Sequence, residues 1–115
     1  MMKLLIVDDD ERIRKMIADV VSDPSDEIIE CCDGKEAQES YAEHLPDWVM
    51  MDVLMPEVDG IAATRLIKAA HPEAKIIIVT TCESGALRET AEEAGAFSFV
   101  LKENLAELRN IIAGN

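Results

Sequence analysis

The chain has 115 residues, enough for one domain with a single core and too few for two. Hydrophobic residues make up 49% and charged residues 30%, a globular balance that excludes a disordered chain. A formal net charge of −13 repels DNA phosphates and anionic lipid, so neither direct nucleic-acid binding nor membrane association is expected.

Five times a short apolar run is followed by a helical pattern. The first strand is expected at Lys3–Val7, and a helix follows with Ile13, Met16, Ile17, Val20 and Val21 at helical spacing. The second strand, Glu27–Cys31, leads to a less clear helix over Gly34–His44, closed by Pro46. The third, 47–51, precedes a helix with Ala63, Leu66, Ile67 and Ala70 on one side, closed by Pro72. The fourth, 75–79, precedes a helix marked by Leu87, Thr90, Ala91 and Ala94, with Gly95 as its stop. The fifth, 97–101, precedes a last helix with Leu105, Leu108, Ile111 and Ile112 along one face. Strands one, three and four are almost continuously apolar, as strands covered on both faces are. Alternation of strand and helix predicts an α/β fold, a doubly wound five-stranded parallel sheet with five helices and right-handed crossovers.

Cys31 and Cys32 are adjacent and Cys82 stands alone, which gives neither a disulfide framework nor zinc-ligand spacing. Met1-Met2-Lys3 runs straight into a strand-like segment without the order of a secretory signal, so a cytoplasmic setting is expected. The six methionines read as core filling, and His44 and His71 as cations near helix ends.

In such sheets the functional crevice lies at the carboxyl ends of the strands. Asp8, Asp9 and Asp10 follow the first strand, Asp52 ends the third, Thr80 and Thr81 follow the fourth, and Lys102 follows the fifth. Carboxylates, hydroxyls and an ammonium thus converge on one rim. Acids this close raise one another's pKa values unless a cation neutralises them, and hard oxygen ligands completed by water suit Mg²⁺ better than zinc. Adjacent strands are about 4.8 Å apart, which is expected to set Asp9 across from Asp52. Asp10 reads as the cap of the first helix and Asp59, followed by Gly60, as the cap of the third.

The Asp8-Asp9 pair, Asp52 with Met55-Pro56 and Asp59-Gly60, Thr80 and Lys102, in this order over the whole chain, resemble the response-regulator receiver family. The resemblance implies the flavodoxin-like strand order 2-1-3-4-5, with residues 1–115 as one receiver domain. It implies a signalling switch rather than an enzyme acting on an external substrate. Asp52 would accept a phosphoryl group from a phosphohistidine. Asp8, Asp9, Asp52 and the Leu54 carbonyl would hold Mg²⁺. Thr80 and Lys102 would contact the phosphoryl oxygens, and Phe99, three residues before Lys102, would be the aromatic partner of Thr80 in the switch. The surface of the fourth helix, fifth strand and fifth helix would then change to control an output domain or partner. A sensor histidine kinase or a histidine phosphotransfer protein would be the donor, and a homodimer formed on phosphorylation is a further implied partner.

Two positions depart from the family's usual pattern. Thr81 stands where a smaller residue is usual, so its bulk is expected to narrow access to the phosphoryl group. Glu103 replaces the proline common after the lysine, and without proline a cis peptide is not expected there. Three other readings compete. Asp8-x-Asp10 after a first strand also occurs in Mg²⁺-dependent aspartyl phosphohydrolases, but the chain leaves no room for a substrate-covering cap. A flavin-binding module would need a loop less acidic than this one and more than 3% aromatic residues. A receiver fold kept only as a scaffold would not need the full set of acids, threonine and lysine.

Overall fold

The structure, a computed structural model, describes residues 1–114. Its five strands, β1 (Lys3–Val7), β2 (Glu27–Cys31), β3 (Trp48–Met51), β4 (Ile76–Thr80) and β5 (Ser98–Leu101), form one parallel sheet in the order β2-β1-β3-β4-β5. The helices are α1 (Glu11–Val21), α2 (Gly34–His44), α3 (Gly60–Ala70), α4 (Gly85–Glu93) and α5 (Ala106–Ala113). Strand order and element count are those expected from the sequence.

Alternation along each strand divides the core into two layers. Leu4, Ile6, Met50, Ile77 and Val79 point to one face, where they meet Ile17 and Val21 of α1 and Leu108 and Ile112 of α5. Leu5, Val7, Val49, Met51, Ile76 and Ile78 point to the other, beneath Ala37 and Tyr41 of α2, Ile61 and Ile67 of α3 and Ala91 of α4. Burial on both faces explains why β1, β3 and β4 read as unbroken apolar runs. Each large aliphatic side chain so buried contributes about 1.5–3 kcal/mol.

Two helical faces differ from the expected stripes. Met16 and Leu66 are each 50% exposed. In α3 the buried face is Gly60, Ile61, Ala63, Thr64 and Ile67. Thr64 Oγ1 donates to the Gly60 carbonyl at 2.7 Å, which satisfies the hydroxyl inside the helix and lets this small-residue face lie against the sheet. Leu66 and Ala70 are thereby turned outward. Met16 likewise lies outside the strip defined by Ile17 and Val21. Not all methionines fill the core either: Met50 and Met51 do, whereas Met1 is 94% exposed.

The strand edges shift by one residue. β3 begins at Trp48 because Asp47 acts as a connector, its Oδ2 accepting from the Lys3 amide at 2.8 Å. β4 extends to include Thr80, and β5 begins at Ser98. A 3₁₀ turn, Lys102–Asn104, separates β5 from α5, and the peptide after Lys102 is trans.

Candidate functional site

Four strand ends build the site. The β1–β3 register pairs Val7 with Met51, so the next residues, Asp8 and Asp52, lie abreast. Their backbones are held there, the Asp52 amide donating to the Val7 carbonyl at 2.8 Å and the Asp8 amide to the Cys31 carbonyl at 3.1 Å. Asp8, rather than the expected Asp9, is therefore the acid directly across from Asp52. Asp9 is exposed at the rim, yet one carboxylate oxygen from each of Asp8, Asp9 and Asp52 falls within 4.8 Å of the others.

Two of these acids are buried: Asp8 is 1% exposed and Asp52 6%. Asp8 Oδ1 accepts from the Asp10 amide at 2.8 Å. Asp8 Oδ2 is buried without an aligned hydrogen-bond donor, and its charged neighbour is the Lys102 ammonium at 2.7 Å. The same ammonium lies 3.2 Å from Asp52 Oδ1. Lys102, two strands from β3, spans the distance with its side chain, as its position after β5 required.

Burial, and then the Asp8 carboxylate, hold the Asp52 pKa above the usual carboxylate value, against the opposing pull of Lys102. For Lys102 burial pulls downward, but its contacts with Asp8 and Asp52 together lift the ammonium above its usual value. One lysine faces two buried acids. Three converging carboxylates, two of them buried and sharing a single ammonium, are a donor set that fits a hard divalent cation.

Thr80, at the end of β4, is 2% exposed, and its Oγ1 accepts from the Cys82 amide at 3.2 Å. Thr81 is exposed. The Leu54 side chain is 74% exposed in the loop after β3. Phe99 pairs with Ile78 in the β4–β5 register and is half-buried. Asp10 caps α1 by accepting from the Arg12 amide, and Asp59 caps α3 by accepting from the Ala62 amide, as expected. Among the described residues a second cluster, Cys32, Asp33 and Glu36, is largely exposed, and Asp33 is engaged as the cap of α2.

Three contributors were missed in the sequence. Arg14 Nη1 donates to the Asp8 carbonyl at 2.7 Å while its Nε donates to Glu30 Oε1 at 2.8 Å, tying α1 and β2 to the acidic loop. Its place one turn into the helix after the acids was the available signal. Gly60 does more than ease a turn: a Cβ there would stand 1.7 Å from the Asp52 carbonyl oxygen. Arg88 lies over Phe99, its Cζ 4.4 Å from the ring centroid. That contact joins a helix to a strand and left no periodic trace.

Known proteins share this fold. Residues 4–113 match the family model described as the response regulator receiver domain. The chain is 40% identical over 101 residues to the chemotaxis protein CheY of Bacillus subtilis, covering 87% of this chain and 84% of that protein. Among solved structures, a LuxR-family two-component response regulator from an Aurantimonas species superposes with a TM-score of 0.89 at 32% identity, covering 99% of this chain and 84% of that one. CheY in a CheX–CheY–BeF3–Mg²⁺ complex from Borrelia burgdorferi gives a TM-score of 0.88 at 27% identity, covering 97% of this chain and 87% of that one.

Proposed function

Because the chain belongs to the response regulator receiver family of two-component signalling, we propose that Asp52 accepts a phosphoryl group from a phosphohistidine and that residues 1–115 act as one switch unit. The observation that carries this reading is the convergence of the Asp8, Asp9 and Asp52 carboxylates, with Lys102 set against the two buried ones.

In the transfer, an Asp52 carboxylate oxygen forms the new O–P bond while the N–P bond to the donor imidazole breaks, and the imidazole leaves with a proton taken from solvent. A carboxylate that burial makes more basic is the better nucleophile once ionised. Lys102 already touches Asp52 and would follow the arriving charge onto the phosphoryl oxygens as a point cation. Thr80 Oγ1 accepts from the Cys82 amide, and the side chain would turn from that contact to donate its own proton to a phosphoryl oxygen. Asp8, Asp9, Asp52 and the Leu54 carbonyl would hold Mg²⁺, which supplies neutralisation of the clustered acids and of the phosphoryl charge. Thr81, exposed at the rim, would restrict approach, so Thr81→Ala should speed both phosphorylation and its loss.

The donor would be a sensor histidine kinase or a histidine phosphotransfer protein, in the cytoplasm, and a phosphorylated homodimer would be one route to output. The output surface would be that of α4, β5 and α5, through Thr80 and Phe99. A phosphoryl group can move that equilibrium only by binding one arrangement better than the other. The competing phosphohydrolase reading would use the Asp8-x-Asp10 pair. Asp10 is instead engaged as the α1 cap, and Lys102 sits on Asp8, which favours Asp52 as the acceptor.

Intact-mass measurement after incubation with a small acyl-phosphate donor tests the proposal. A gain of one phosphoryl mass is expected for the wild type with Mg²⁺. No gain is expected in chelator or in Asp52→Asn, and an equal gain in that variant would overturn it.

A further inference from the structure

Beyond the acidic site, Arg88 on α4 reaches both β5 and the loop before its own helix. Its guanidinium carbon stands 4.4 Å from the centre of the Phe99 ring. Its Nη2 lies 3.5 Å from Glu83 Oε1, in the loop between β4 and α4. It also lines an open groove of about 340 Å³ with Ala91, Glu92, Phe97 and Phe99. The Arg88 side chain is half-exposed.

We propose that Arg88 is a positioning residue for the switch: stacked on Phe99, it holds the ring in its half-buried place and so favours the unphosphorylated arrangement. The inference rests on the reading of Asp52, Thr80 and Phe99 given above and adds the element that sets their resting balance. A cation over an aromatic face attracts it through the ring quadrupole. A ring that turned into the sheet would leave the guanidinium behind and lose that attraction.

The tether to Glu83 couples the latch to the acidic site. Thr80 Oγ1 holds the Cys82 amide, one residue before Glu83. When the Thr80 hydroxyl turns toward a phosphoryl oxygen, that hydrogen bond is given up and the segment carrying Glu83 is released. The pull on Arg88 slackens at the moment Phe99 must move. By linkage, whatever favours the half-buried ring weakens phosphoryl binding by the same factor.

The test uses beryllofluoride with Mg²⁺ as the phosphoryl mimic, titrated into the whole protein as wild type, Arg88→Gln and Arg88→Lys. A contact of this class at an exposed site changes an equilibrium by roughly two- to fivefold. Arg88→Gln is therefore expected to bind the mimic about two- to fivefold more tightly than wild type. Arg88→Lys, which keeps a cation near the ring, stays closer to wild type. Phe99 is one of only two phenylalanines, so its ring resonances are readily assigned. In Arg88→Gln without the mimic they should already be displaced toward their bound positions. Unchanged or weaker binding by Arg88→Gln, or equal shifts in the two variants, overturns the latch while leaving the acidic site intact. No binding by the wild type would instead sink the phosphoacceptor reading and the latch with it.

Discussion

Asp52 is held in a place that opposes its own charge. Burial and the neighbouring Asp8 carboxylate both raise its pKa, and Lys102, shared with Asp8, offsets this only in part. A carboxylate whose folded pKa exceeds its unfolded value favours folding only while protonated, at acid pH, and that contribution is lost as pH rises through the folded pKa. At neutral pH the ionised group is therefore a net cost. Asp52→Asn should raise the Tm of the metal-free protein by a few degrees at pH 7, and this gain should vanish at acid pH, where wild-type Asp52 is protonated. A lower Tm for the variant at pH 7 would show that the Lys102 pairing outweighs burial. Cys31 offers an independent check of the core. Burial pushes its thiol from 9.0 up to about 12, and its Sγ is held against Ser40 Oγ at 3.1 Å. Its contribution to stability is full below the free thiol's value and falls as pH climbs from there to about 12. In a thiol-reagent titration of the native protein at pH 8, the exposed Cys32 and Cys82 should react promptly and Cys31 only on unfolding. Rapid reaction of all three would mean that the layer beneath α2 opens readily.

Helix α3 fixes the backbone of the loop that follows Asp52. The Gly60 amide donates to the Val53 carbonyl at 2.8 Å, and its Cα approaches Asp52 so closely that no side chain fits. Gly60→Ala should therefore cost about 1–3 kcal/mol, the usual range for overpacking, and should impair phosphorylation more than this loss of stability explains. Denaturant unfolding alongside the mass assay would check both, and a variant with wild-type stability and phosphorylation would contradict the close approach. At Gly95 the reason for glycine is different: its φ of 102° places it in the left-handed region after α4. Elements were legible where their pattern was local. β1, β2 and α2 match the expected spans to the residue, because apolar runs and the Gly34 and Pro46 signals mark their ends. The outward turns of Met16 and Leu66 were not legible, because small neighbours, and not periodicity, decide how far a helix rolls on a sheet. Asp8 and Asp52 could be placed at strand ends, but which acid stands abreast of Asp52 depends on register, which the sequence does not display. Arg14 offered only its place one turn into the helix after the acids, and Arg88 acts through a contact between elements of which a single sequence carries no mark.

The net charge of −13 is gathered on a body with a radius of gyration of 12.5 Å. At about 0.01 M salt the screening length is roughly 30 Å, larger than that radius, so the charges repel across the whole protein. Raising NaCl toward about 1 M, where screening acts over roughly 3 Å, should raise the Tm of the metal-free protein. A Tm that fell monotonically with salt would mean that paired charges such as Arg14–Glu30 outweigh the repulsion. No helix among the described residues is long and apolar enough to cross a membrane. The acid-lined rim and the two-layered core together place the Asp52 carboxylate beside those of Asp8 and Asp9. The most direct test asks which of the three becomes modified. Protein treated with an acyl-phosphate donor and Mg²⁺ can be reduced with borohydride, which converts a phosphorylated aspartate to homoserine, and the converted residue located by peptide mass spectrometry. Conversion confined to Asp52, and absent without Mg²⁺, is the predicted result; conversion at Asp8 or Asp9, or at none of them, would contradict it.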